Sequence, residues 1–326
     1  MSELILAGDI GGTKSHLGLF HRDSTDIVEM KTFSSGSFSN FPEMIRDFLA
    51  GREMTFSAMC FGAAGPVING VCKITNLDWA VDSRQVGAAF KCPKSFVIND
   101  LEANGNGIAV LPESSFHRLQ MRDNPLIGNG ALVSAGTGLG ECMMFWDGTR
   151  HIPVPSEGGH NSFSPCNEEE VELLRFLWGK YDHVSWERVV SGSFGFENLY
   201  CFLRDTGRET GSPELEAMAA ENGYGAAISH FADADLPIAV RAMRLFVSLY
   251  GSEAGNLALK SMATVGLFIG GGIAPKILKW MQNGDFLKAF SAKGRFQRFL
   301  EGVPVSIILE ERTALLGAAR YAMLHS

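Results

Sequence analysis

Residues 8–15 read GDIGGTKS, a glycine-rich stretch one residue short of a P-loop, because Thr13 stands where a glycine must precede the lysine. The flanking residues decide what it is. A P-loop opens directly into a helix, whose N-terminus and loop amides hold phosphate together. Here the chain continues SHLGLF, with Leu17 and Leu19 alternating with His16 and Gly18, and the apolar run LILAGD precedes it. Both flanks are strand patterns. The stretch is therefore expected to be the tight turn of a β-hairpin, in which Gly8, Asp9, Ile10, Gly11, Gly12 and Thr13 leave backbone N–H groups aimed at an anion. An ordinary glycine turn accounts for this stretch equally well.

The arrangement recurs. In ALVSAGTGLGECMMFW a strand runs into Gly136, Thr137 and Gly138 and out into a second strand. Two such turns at the starts of two halves suggest a polyphosphate held across a cleft. A third glycine element, GLFIGGGIAPKIL, is an apolar strand ending in Gly270, Gly271 and Gly272, with Pro275 placed to start a helix. It suits close approach of backbone to a flat ligand such as a nucleoside, or a plain strand-to-helix turn.

Around these turns the first third alternates short strands with loops and a helix at PEMIRDFLA, a mixed α/β domain around one sheet, and helices dominate after the second hairpin. EEEVELLRFLWGKY and PIAVRAMRLFVSLYGSEAGNLALKSM carry apolar residues at helical spacing. Glu168, Glu169 and Glu170 follow Asn167, which reads as an N-cap with acids in the first turn rather than a metal site.

With 326 residues, 46% of them hydrophobic and 20% charged, the chain is long enough for two domains with cores of their own. A net charge of -8 and no local cluster of Lys and Arg argue against a nucleic-acid partner. No window approaches the ~18 apolar residues of a membrane span, and the N-terminus enters a strand without a basic leader, so a cytoplasmic protein is expected. Cys60, Cys72, Cys92, Cys142, Cys166 and Cys201 are scattered singly. No zinc site or disulfide framework is indicated.

Three stretches carry candidate chemistry. SFVIND ends a buried strand in Asn99 and Asp100, where α/β folds place ligands, although Asp100 reads more readily as the cap of the following helix. PSEGGHNSF offers Glu157 and His160 around a glycine pair, a mixed donor and acceptor set suited to a polyol. HVSWERVVSG places Glu187 in what reads as the first turn of a helix.

Together, GDIGGTKSHLGLF, TNLDW, VINDLEA, SAGTGLGECMMF, PSEGGHNSFSPCNEEE, HVSWERVVSGSFGFENLY, FIGGGIAPKIL, AKGRFQRFLEGVPVSIIL and ALLGAARYA resemble, in order and spacing, the bacterial ATP-dependent glucokinases. The resemblance spans essentially the whole chain. It implies the two-domain actin-like ATPase fold, α/β and ribonuclease H-like, with a ligand cleft between the domains. It places one domain at 1–110 plus 301–326, where the C-terminal helix returns, and the other at 111–300. It further implies that Asp100 is the catalytic base and that Asn99, Asp100, Glu157, His160 and Glu187 bind glucose. The two hairpins, Gly8 to Thr13 and Gly136 to Gly138, would hold the phosphates of ATP, with Gly270, Gly271 and Gly272 near the adenosine. Asp9 would hold Mg2+ through water, and the family's habit is a homodimer. Lys14 and His16 depart from the Asn and Arg common in relatives, and Glu141 occupies a position usually small or apolar. The nearest alternative is a ROK-type kinase of another hexose or of an N-acetylhexosamine, whose cysteine-rich zinc motif is represented here by Cys166 alone. A sugar-responsive repressor is not expected, since only three residues precede LILAGD.

Overall fold

The computed structural model describes residues 4–74, 77–122, 124 and 126–326; Thr75 and Asn76 of the TNLDW motif lie outside them. The chain divides into two compact units. One comprises Met1–Ser115, Asp147–Pro155 and Glu310–Ser326, the other Phe116–Trp146 and Ser156–Leu309.

The first unit is built on a sheet of β1 (Leu4–Ile10), β2 (Lys14–His21), β3 (Ile27–Ser34), β4 (Ala58–Ala63) and β8 (Ser95–Asn99), in the order β3-β2-β1-β4-β8. A small ribbon of β5 (Val67–Ile68), β6 (Val71–Lys73) and β7 (Ala80–Asp82) accompanies it. β1 and β2 form the expected hairpin, pairing Asp9 with His16 and Ile10 with Ser15. Strands β1, β4 and β8 run parallel, so their C-terminal ends share one edge of the sheet. α1 (Phe41–Leu49) packs on one face; it starts where Asn40 accepts from the Glu43 amide, with Pro42 in its first turn. α2 (Ser83–Ala89) is capped by Asp82 in the same way.

On the other face lie α3 (Asp100–Ile108) and α13 (Thr313–Leu324). Their small residues allow unusually close contact: a Cβ on Gly107 would overlap the Thr313 carbonyl, and one on Gly317 the Ala103 carbonyl. Ala314, Ala318, Ala319 and Ala322 of α13 are buried with Ile5, Ala7 and Ile98 of the sheet. The C-terminal helix thus belongs to the first unit.

In the second unit the strands β9 (Phe116–Gln120), β10 (Gly130–Ala135), β11 (Leu139–Trp146), β13 (Gly266–Gly270) and β14 (Val305–Ile308) follow the order β11-β10-β13-β14-β9. Because β14 pairs with β13, residues 301–309 fall in this unit, a later boundary than the sequence suggests. The remaining strand, β12 (His151–Ser156), lies largely in the stretch assigned to the first unit. Helices α4 (Glu168–Trp178), α5 (Gly195–Asp205), α6 (Pro213–Asn222), α7 (Tyr224–Asp233) and α8 (Pro237–Ser261) follow. After β13 come α9 (Ile273–Lys276), α10 (Leu278–Met281), α11 (Asp285–Ser291) and α12 (Gln297–Leu300). Asn167 caps α4 by accepting from the Glu170 amide, with Glu168, Glu169 and Glu170 in the first turn of the helix, the arrangement the pattern indicates. α8 is buried over most of its circumference, and Phe246 on it stacks on Phe196 of α5 with ring centroids 4.0 Å apart.

Five of the six cysteines are buried and Cys166 is exposed. Among the described residues no helix is long and apolar enough to cross a membrane.

Candidate active site

In the first unit, strand register assembles the site. Ile10, Ala63 and Asn99 are successive partners across β1, β4 and β8, which brings the hairpin turn and the Asn99-Asp100 pair to the same sheet edge, two strand spacings or about 10 Å apart. Gly11 closes the turn by donating to the Lys14 carbonyl at 3.1 Å. The Ser-rich segment after β3 clamps it: Ser35 donates through its hydroxyl to the Gly11 carbonyl at 2.6 Å and through its amide to the Thr13 carbonyl at 3.0 Å. The amides of Gly12 and Thr13 make no hydrogen bond among the described residues. Gly8, Asp9 and Ile10 lie within β1, paired with strands on both sides, and Gly11 spends its amide on Lys14, so the turn is shorter than the sequence suggests and two donors remain for an anion. Asp9, half-buried at the end of β1, has its carboxyl pushed up to about 6 by burial.

The cap of α3 differs from the residue-level reading. Asn99, not Asp100, is the N-cap; its Oδ1 accepts from the amides of Leu101 at 2.9 Å and Glu102 at 3.4 Å, and its Nδ2 donates to the Gly65 carbonyl at 3.0 Å. Asp100 is the first helical residue and is half-buried. Gly62 lets the start of α3 sit close to the sheet, since a Cβ there would come within 2.7 Å of the Ala103 methyl.

In the second unit, the β10–β11 hairpin repeats the device. Gly136 donates to the Gly138 carbonyl at 2.9 Å, while the Thr137 and Gly138 amides make no hydrogen bond among the described residues. Ser134 of β10 pairs with Gly270 of β13, which sets the triple glycine beside this turn. Gly271 has φ +80° and lies against the Ala135 carbonyl, leaving no room for a Cβ. Here glycine is required on both counts. The following helix begins at Ile273, so Pro275 occupies its third position rather than its first; a proline there still replaces an N–H that has no partner within the helix.

A cavity of about 860 Å³ opens beside these elements, lined by Gly136, Thr137 and Gly272 and by residues the sequence reading did not single out, among them Ser193, Asn222, His230 and Lys276. Its size suits a small-molecule ligand. The loop carrying Ser193 is bound to the hairpin: Gly192 donates to the Gly136 carbonyl at 2.7 Å and Ser193 to the Thr137 carbonyl at 3.2 Å.

The structure also brings Glu157, His160 and Glu187 together. His160 Nδ1 is 3.4 Å from Glu187 Oε2, and its Nε2 is 3.8 Å from Glu157 Oε2. An antiparallel bridge between Ser162 and Ser185 and the Trp186 amide bond to the Asn161 carbonyl hold the two loops in register. Glu187 lies in a single 3-10 turn, Trp186–Arg188, rather than at the start of a longer helix. Its Oε1 would be 2.7 Å from a Cβ on Gly138, so the carboxylate cluster abuts the hairpin turn. The glycine pair of PSEGGHNSF permits this: Gly158 lies over the Glu141 carboxyl and Gly159 over the Leu139 carbonyl, each too close for a side chain.

A duplicated glycine hairpin, one copy in each α/β unit, with carboxylates at the strand ends, defines a sugar kinase of the two-domain actin-like ATPase fold. Comparison with known proteins agrees. The glucokinase family model matches residues 6–325. Glucokinase of Nostoc sp. is 40% identical over 335 residues, covering 97% of this chain and 98% of its own. A solved glucokinase from an Antarctic psychrotroph superposes with a TM-score of 0.86 at 28% identity, covering 99% of each chain. A ROK family glucokinase from Streptomyces griseus, solved in complex with glucose and AMPPNP, shares the fold at a TM-score of 0.63 and 21% identity, with 98% of this chain and 99% of that one covered. The chain belongs to the glucokinase family, and it is a kinase.

Proposed function

We propose that the chain transfers the γ-phosphoryl group of ATP to the 6-hydroxyl of glucose, giving glucose 6-phosphate and ADP, with Asp100 as the base. The observation that carries this reading is the Glu157, His160 and Glu187 cluster set against Gly138 of a phosphate-type hairpin, which joins polyol chemistry to anion chemistry in one place. In the reaction the sugar oxygen bonds to the γ-phosphorus, the bond from that phosphorus to the bridging oxygen of ADP breaks, and the hydroxyl proton passes to Asp100. A carboxylate suffices as base, because the nucleophile is weakly bonded in a loose phosphoryl-transfer transition state and its proton leaves late. Asn99, Glu157, His160 and Glu187 pair with the other hydroxyls and orient the sugar.

The paired amides of Gly12 and Thr13, and of Thr137 and Gly138, supply fixed donors for phosphate oxygens. The 860 Å³ cavity lined by Gly272 and Lys276 takes the nucleoside end. Mg2+ fits this donor set, a single carboxylate at Asp9 beside turn amides open to phosphate, because Mg2+ is commonly held by one or two carboxylates, water and substrate phosphate. Asp9 would hold it through water, and the ion would neutralise phosphate charge. The six cysteines, none in a disulfide, support a reducing, cytoplasmic location, and we take the active form to be a homodimer, to be checked by light scattering.

A coupled assay with ATP, Mg2+ and a panel of hexoses tests the activity. Phosphorylation of glucose that stops with EDTA and returns with Mg2+ is expected; a preparation active on N-acetylhexosamines but not on glucose would overturn it.

A further inference from the structure

Beneath the loop that carries Glu157 and His160 lies a carboxyl group that the reaction does not use. Glu141 on β11 is 1% exposed. Its Oε1 is buried without a hydrogen-bond partner, and its Oε2 occupies the space a side chain on Gly158 would need. Facing it from α8, which packs on β11, is the wholly buried Glu253. Two carboxyl groups buried in the same place cannot both be charged without strong repulsion, so one of them holds a proton.

The neighbours decide where that proton sits. Glu253 accepts from Asn256 Nδ2 at 2.7 Å and from Lys260 Nζ at 3.3 Å, donors that favour its ionised form. Glu141 has no such donor and carries the proton; burial first, then the charge of Glu253, push its carboxyl up to about 8. The neutral form also explains how an orphaned oxygen is tolerated, since burying an unpaired carbonyl costs far less than burying a charge. Other titratable groups near the pair are the Tyr250 hydroxyl on α8, Lys293 with Glu170 and Cys166 beside Glu253, and Glu157 and His160 in the loop itself; Arg241 and Arg244 of α8 and Asp285 and Lys288 of α11 also lie on the packed elements. β10, which pairs with β11, reads GALVSA and contributes no charge.

We propose that Glu141 is a positioning residue for sugar binding: as a neutral acid packed opposite Glu253 it forms the floor on which Gly158 rests, and so fixes the reach of Glu157 and His160. This rests on the reading that the 157–160 loop binds the sugar. The sign follows from the raised value. Below pH 8 the neutral acid holds the floor in place; as pH rises through 8, Glu141 ionises, two buried carboxylates repel with Lys260 as an offset, and the loop is displaced.

The test measures kcat and the KM for glucose on both sides of pH 8. In the wild type the KM is expected to rise about tenfold above pH 8 with kcat nearly unchanged, the signature of lost binding alone. Glu141→Gln imitates the neutral acid and cannot ionise, so it should keep the low KM and flatten the profile, whereas Glu141→Ala should raise the KM at every pH. An infrared carboxylic-acid carbonyl band should be present at neutral pH and absent in Glu141→Gln. An alkaline rise in KM that persists in Glu141→Gln, or a neutral-pH spectrum without that band, overturns the proposal alone. If His160→Ala and Glu157→Gln leave the glucose KM unchanged, the sugar reading of the loop fails and takes the proposal with it.

Discussion

Asn99 caps α3, through a side-chain oxygen that accepts from both Leu101 and Glu102, and its neighbour Asp100 enters the helix as the first residue. The pair divides two tasks that either residue type can perform. With the cap assigned to Asn99, Asp100→Asn should leave α3 intact, and the protein should fold and bind glucose. Turnover should fall ~10²-fold or more, the usual scale for removing a general base. Near wild-type kcat in the variant, with its melting temperature unchanged, would place the base elsewhere.

Asp9 makes two pH predictions of opposite sign. Its carboxyl is raised to about 6 by burial, so the ionised form needed beside magnesium and phosphate is lost as pH falls through 6, and kcat/KM for the ATP–Mg2+ complex should fall with it. Stability runs the other way: folding favours the protonated acid, so this group's contribution is present at about pH 4 and lost as pH rises through 6. Asp9→Asn should therefore be more stable than wild type at pH 7, by at most about 3 kcal/mol, and nearly inactive. Equal melting temperatures at pH 7 would show that Asp9 is not strained by burial.

What the sequence made legible follows the range of the interactions. Both hairpins were readable because alternation and glycine are local signals: Leu17 and Leu19 set the strand, and Gly11 and Gly12 set the turn. The cap was not, because Asn99 and Asp100 are both good cap residues and only the register of β8 against β4 fixes which of them ends the strand. The cavity wall was missed where it comes from the α6–α7 junction around Asn222 and His230, a stretch with no recurring pattern. Gly192 and Ser193 did carry a signal, the SGSFG run, which lacked meaning until their bonds to Gly136 and Thr137 were visible. Glu141 stood out only as a departure from its relatives; its partner Glu253 lies on a helix far along the chain.

Gly138 and Glu187 link the hairpin to the carboxylate cluster. A methyl at 138 would sit 2.7 Å from Glu187 Oε1, and the carboxylate must swing away to admit it. Gly138→Ala should raise the glucose KM by about tenfold and leave the fold intact, as expected when one hydrogen bond to a substrate hydroxyl is misplaced. An unchanged KM would mean that Glu187 does not touch the sugar.

Packing of α13 on α3 depends on Gly317, where a Cβ would overlap the Ala103 carbonyl and approach the Gly107 amide. The obstacle is backbone and cannot rotate aside. Gly317→Ala should therefore destabilise the first unit by about 1–3 kcal/mol, the range for overpacking. Because α3 carries Asp100, kcat should fall as well. A melting temperature equal to wild type would show that the two helices are free to separate.

Choice of sugar follows from the polar groups assigned to it. Asn99, Glu157, His160 and Glu187 each pair with a ring hydroxyl in the proposed complex, so a sugar that lacks or inverts one leaves a desolvated polar group unpaired, at a cost of about 1–3 kcal/mol. Glucose should lead mannose and galactose by roughly tenfold to a hundredfold in kcat/KM. N-Acetylglucosamine should do worse still, because a 2-acetamido group must displace a hydrogen-bonding partner, and the cluster of Glu157, His160 and Glu187 presents carboxylates and an imidazole in place of an apolar seat for the acetyl methyl. Measuring kcat/KM for the four sugars decides it. Equal or higher values with N-acetylglucosamine would show that these side chains do not select the substrate, whereas a preference for glucose that collapses in His160→Ala would trace the selection to this cluster.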